Sequence, residues 1–100
     1  MITKTTKLVN KHGLHMRPCM KIIDVTEKFN CDVDISKDGE EWINAKSIIH
    51  LCMIGAVYGD EVIIRANGSD EVEAVKALVS LIEKGFEETI VEISNEHKNI

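Results

Sequence analysis

The stretch EVIIRANGSDEVEAVKALVSLI, residues 61–82, changes its hydrophobic period halfway along. From Glu61 to Ala66 apolar and other residues alternate, with Val62, Ile64 and Ala66 on one face, which reads as a strand. Asn67-Gly68 turns the chain. Ser69 or Asp70 then caps a helix, and Asp70 with Glu73 fits a capping box. Val72, Val75, Val79, Ile82 and Phe86 recur at steps of three and four and form an inward stripe. Gly85 weakens that helix near its end. A strand leading straight into an amphipathic helix needs further strands beside it and further helices over it.

Both lie upstream. Cys31 to Ser36 alternates with period two, Asp38-Gly39 marks a tight turn, and Glu41 to Asn44 returns as a short strand. Ser47 to Ile54 is an apolar piece, introduced by a good N-cap and closed by Gly55, and reads as a short helix. Thr3 to Val9 reads as a first strand and Lys11 to Leu14 as a loop. From Met16 the apolar positions Met16, Cys19, Met20, Ile22, Ile23, Thr26 and Phe29 have helical spacing, with Pro18 tolerated in the first turn. The order is β-α-β-β-α-β-α. Four strands with helices on one face make an α+β open-faced sandwich. Trp42 is expected to cover the sheet edge, and the acidic stretch from Glu83 to Glu92 to form a solvated face. Residues 89–100 lie beyond the pattern as a C-terminal extension. Within it Ile90, Val91 and Ile93 are apolar enough to dock, and the polar end is expected to fray.

One hundred residues suit one domain, and a hydrophobic fraction of 44% with 29% charged residues reads as soluble and globular. The net charge of −5 disfavours a general nucleic-acid binder, which needs a basic stripe. No apolar run approaches the ~20 residues of a membrane span. The N-terminal Met-Ile-Thr-Lys-Thr-Thr-Lys has no apolar core of a secretory signal, so the cytoplasm is the expected compartment. Cys19, Cys31 and Cys52 are odd in number and match no zinc spacing; they read as small buried hydrophobes in a reducing compartment.

The chemistry concentrates in Gly13-Leu14-His15-Met16-Arg17-Pro18. It puts a histidine immediately before a predicted helix, where unpaired N–H groups and the positive end of the dipole favour an anion. A phosphoryl group carried on His15 would sit there, and Arg17 can add a charge-assisted hydrogen bond. A neutral imidazole offers phosphorus a lone pair. Gly13 would let a phosphate or a partner approach the backbone. The residues alone leave a plainer reading open, since a histidine near a helix start is common and an arginine two residues on is often a surface charge. His12, His15 and Cys19 lack a fourth ligand at any known spacing, so no metal and no cofactor is expected.

The segment from Gly13 through Met20 closely resembles the active-site signature of the HPr family, the histidine-containing phosphocarriers of the bacterial phosphotransferase system. A second block, Ile43-Asn44-Ala45-Lys46-Ser47-Ile48, resembles that family's regulatory serine segment. The resemblance runs over residues 2–88, with about one extra residue before Trp42. It implies a double-split β-α-β sandwich: a four-stranded antiparallel sheet with three helices on one face. It implies that His15 takes a phosphoryl group on Nδ1 from Enzyme I, supplied by phosphoenolpyruvate, and passes it to an Enzyme IIA domain. Arg17 matches the phosphate-binding arginine. Ser47 matches the serine modified by a dedicated kinase/phosphorylase in many members, and phosphate at a helix start is well placed. The expected partner surface comprises Met16, Met20, Ile48, Leu51, Cys52 and Met53, on a monomer that is not a stand-alone enzyme. The rival within the family is a regulatory module working through Ser47 and transcriptional partners. Met16 and Cys19 stand where alanine is usual, and His50 where many serine-regulated members have glycine.

Overall fold

The computed structural model describes residues 1–87. The elements are β1 (Ile2–Lys7), α1 (Met16–Thr26), β2 (Asp32–Ser36), β3 (Ile43–Asn44), α2 (Ile48–Cys52), β4 (Glu61–Asn67) and α3 (Glu71–Glu83), followed by a 3₁₀ turn over Gly85–Glu87. The sheet order is β1-β4-β2-β3, antiparallel throughout. This is the open-faced α+β sandwich expected from the element order. The expected extension and the docking of Ile90, Val91 and Ile93 lie outside the described residues.

The period-two reading of β4 holds: Val62, Ile64 and Ala66 are buried. The register pairs Val33 with Ala66 and Ile35 with Ile64, so β2 turns its apolar residues to the same face. Arg65 lies on the opposite face, where its Nε donates to Asp34 at 3.2 Å and its guanidinium stacks 3.9 Å from the Trp42 ring centre. Trp42 therefore lies over the outer face through a cation–π contact, just ahead of the two-residue β3 rather than within it. The β2–β3 connection is a six-residue loop, wider than a tight turn. Asp38 Oδ1 organises it, accepting from Glu40 N at 2.8 Å and Glu41 N at 3.0 Å.

The buried face of α3 is Ala74, Val75, Leu78, Val79 and Ile82. Val72 departs from the expected stripe: it is 42% exposed and lines an open groove between the first turn of α3 and Ile2 of β1. The expected capping box is also absent. The Asp70 carboxylate makes no cap bond; it accepts from Asn30 N at 2.8 Å and Cys31 N at 3.0 Å, tying the helix start to the α1–β2 connection. Gly68 N donates instead to Glu71 at 3.0 Å. A Cβ on Gly68 would lie 2.6 Å from Cys31 Cβ, so these two connections touch at backbone distance.

The two donated N–H bonds, that from Asn30 foremost, hold the Asp70 carboxyl below its usual 3.8. A carboxylate with a depressed folded pKa stabilises the fold above its unfolded pKa, and the stabilisation is lost as pH falls through the folded value. Wild-type stability is therefore expected to decline from about pH 4 downward. Asp70→Asn should be less stable at neutral pH and decline less over the same acid range. Urea unfolding at several pH values checks this; parallel curves for the two proteins would contradict it.

Candidate functional site

The loop before α1 is held by the loop after α2. Leu14 N donates to Ala56 O at 3.0 Å, Leu8 N to Asp60 O at 2.9 Å, and Gly59 N to Leu8 O at 2.9 Å. Asn10 Nδ2 donates to Gly13 O at 2.7 Å within the loop. Gly13 has φ +64°, and a Cβ there would lie 2.6 Å from Ala56 O and 2.7 Å from Val57 Cα. The glycine is thus required by the neighbouring backbone, not by an approaching phosphate. Gly13→Ala adds left-handed strain to a backbone clash and is expected to cost at least ~2 kcal/mol. An unchanged urea midpoint would refute it.

These braces place His15 at the N-cap of α1, extended at φ −89° and ψ −173°, with an exposed side chain. The side chain makes no capping bond, and no acidic residue occupies the first turn. The helix start therefore keeps its affinity for an anion, undiminished by a carboxylate. Cys19 N closes the first turn on His15 O at 3.1 Å. The His12 ring meets His15 edge-on, with centres 5.8 Å apart. Arg17 is exposed, and with His15, Met20 and Lys21 it lines a shallow groove that runs to Asp24. The Lys21 ammonium reaches Phe86 O at 2.5 Å. The expected pair, His15 and Arg17, therefore shares one solvent-open groove at a helix N-terminus.

Ser47 caps α2, with Oγ accepting from His50 N at 3.5 Å. Its position is set from the end of α1 and the connection after it: Thr26 Oγ1 donates to Ala45 O at 2.9 Å, and Lys46 Nζ donates to Phe29 O at 2.8 Å. Met16, Met20, Ile23 and Ile48 line an apolar groove between the two helices. Met16 and Met20 are about half exposed and Met53 is 74% exposed.

Leu51 is a correction. It is fully buried and belongs to the core, because the single turn of α2 points its fourth residue inward. Cys52 is a second correction: it is exposed, unlike buried Cys19 and Cys31. The sequence reading missed Ile49, 70% exposed beside Ile48, and Val57 and Tyr58 in the bracing loop. The pair Ile48-Ile49 was a usable signal, since a short amphipathic helix cannot bury two adjacent apolar residues equally. Among the described residues no three His, Cys, Asp or Glu side chains gather as a metal site, and no helix is long and apolar enough to cross a membrane.

Residues 2–84 match the family described as "PTS HPr component phosphorylation site". Phosphocarrier protein NPr of Klebsiella oxytoca is 34% identical over 87 residues, which is 87% of this chain and 97% of that protein. The crystal structure of an HPr from Thermoanaerobacter tengcongensis superposes with a TM-score of 0.83 at 41% identity, covering 88% of this chain and 98% of that one. Crh, described as a catabolite repression protein of Bacillus subtilis that forms a swapped dimer, superposes with a TM-score of 0.68 at 33% identity, covering 85% and 97%.

Proposed function

This chain belongs to the HPr family of phosphotransferase-system phosphocarriers, and on that footing we propose that His15 is its carrier residue and Arg17 its phosphate-binding residue. The carrying observation is the exposed imidazole of His15 at the uncapped N-terminus of α1. The ring nitrogen attacks phosphorus, and a P–N bond forms as the bond to the donor breaks. The new dianion meets the positive helix end and the Arg17 guanidinium. Enzyme I, charged from phosphoenolpyruvate, is the donor and an Enzyme IIA domain the acceptor. Those partners align the groups for in-line transfer, so the chain is an intermediate and not a stand-alone enzyme. The solvent-open groove supports that division of labour. Docking uses the exposed residues Met16, Met20, Cys52 and Met53 with half-buried Ile48 between them, and Ile49 is added to the set.

Ser47 is the second phosphorylation site in this reading, modified by an HPr kinase/phosphorylase. Its hydroxyl already stands at a helix N-cap beside the docking surface. A dianion there would oppose the entry of Enzyme I and create a new face for a transcriptional partner. The likeness to Crh favours keeping a second reading, a regulatory module acting through Ser47. His15 and Arg17, both present and both in the groove, favour the carrier. The working state is a cytoplasmic monomer; the swapped Crh dimer makes sedimentation the direct check.

Wild-type protein incubated with phosphoenolpyruvate and Enzyme I is expected to gain one acid-labile phosphoryl group per chain. Arg17→Ala should slow that gain by on the order of 100-fold while leaving stability unchanged. An acid-stable adduct alone, formed from ATP with the kinase, would replace the carrier reading by the regulatory one.

A further inference from the structure

Two side-chain sulfur atoms meet between α1 and α2, with that of Cys19 nearby. The Cys52 thiol is directed at Met16 Sδ, 4.0 Å away. Cys19 lies three residues beyond Met16 on α1, close enough to Cys52 for the two thiols to influence each other. Cys19 is fully buried, with Sγ 3.8 Å from Leu14 O, whereas Met16 and Cys52 are exposed. The cluster therefore has a buried thiol as its floor and an exposed thiol and thioether as its rim, open to an ion arriving from solvent.

We propose that Met16, Cys19 and Cys52 form a copper(I) site. Metal–sulfur bonds of ~2.3 Å at trigonal to tetrahedral angles put sulfur atoms ~3.8–4.0 Å apart, which is the Cys52–Met16 separation. Thiolates with a thioether are a soft donor set that selects copper(I). Structural zinc requires four ligands, and among the described residues no further His, Cys, Asp or Glu completes such a set.

Binding changes no oxidation state. Two thiols lose their protons to solvent, two copper–thiolate bonds form, and the Met16 thioether adds a neutral donor. Burial, then the nearby Cys52, pushes the free Cys19 thiol up to about 12. Binding displaces that proton from the sulfur.

The test titrates the reduced full chain with copper(I) under anaerobic conditions against the chromophoric competitor bicinchoninate. One copper(I) per chain should be withdrawn, with a thiolate-to-copper charge-transfer band and two protons released per ion. Cys19→Ser risks the core, so the exposed positions carry the test. Cys52→Ser should lower affinity by at least the ~10–100-fold that accompanies loss of a supporting ligand contact, and Met16→Leu by about 10-fold at the low end of that range. Wild-type protein that leaves the competitor's copper untouched, or Cys52→Ser that binds as tightly as wild type, overturns the site. Met16→Leu binding like wild type overturns the role of the thioether.

Discussion

His15→Ala is expected to abolish acid-labile phosphorylation by Enzyme I and phosphoenolpyruvate while leaving the protein folded. The two halves of that expectation have separate causes. The chemical loss is total because the substitution removes the nucleophile, and a neighbouring cation such as Arg17 cannot replace a lone pair. The structural loss is small because the side chain is exposed and caps nothing, so the change falls within the ~0.5 kcal/mol of ordinary surface substitutions. Labelled phosphoenolpyruvate measures the first and a thermal melt the second. The informative contrary result is label retained in His15→Ala. It would move the acceptor to His12, whose ring is 5.8 Å from His15, and His12→Ala would then have to lose it.

Phe86→Ala is expected to cost about 3–5 kcal/mol, the range for deleting a fully buried aromatic side chain. At about 4–8 °C per kcal/mol for a domain of this size, the melting temperature should fall by at least ~12 °C. Phe86 is fully buried although its backbone takes the left-handed conformation, φ 57° and ψ 22°. A bulky residue held there costs ~1–2 kcal/mol, so burial of the ring must outweigh that strain. Its carbonyl accepts the Lys21 ammonium, which also ties the end of the α3 region to α1 beneath the His15 groove. The variant should therefore loosen the groove as well as the core. Urea denaturation and hydrogen exchange across α1 check both, and a loss below ~1 kcal/mol would show that the core closes without the ring.

The placing of Phe86 also shows where periodicity reaches its limit. Four residues after Ile82, it falls on the inward stripe of a continuing helix. In the structure α3 stops at Glu83, Gly85 turns left-handed, and Phe86 reaches the core from a 3₁₀ turn. Its burial was legible and its backbone was not, because a ring can reach one cavity along two different chain paths. Leu51 shows the converse. Its neighbours Cys52 and Met53 are exposed and Ile48 is half-buried, and five helical residues are too few for a pattern to separate inside from outside.

The order of elements, the inward faces of β2 and β4, and the position of His15 and Arg17 at a helix start follow from the sequence alone. They rest on local periodicity, turn residues and a short motif, all encoded within a few residues of where they act. Tertiary structure decided what depends on distant segments. Asp70 leaves its own helix end for the N–H groups of Asn30 and Cys31, and Gly13 is demanded by Ala56 and Val57. It likewise brings Met16 within 4.0 Å of Cys52, 36 positions on. Such contacts arise only when segments far apart in the chain compete for the same donors and the same space.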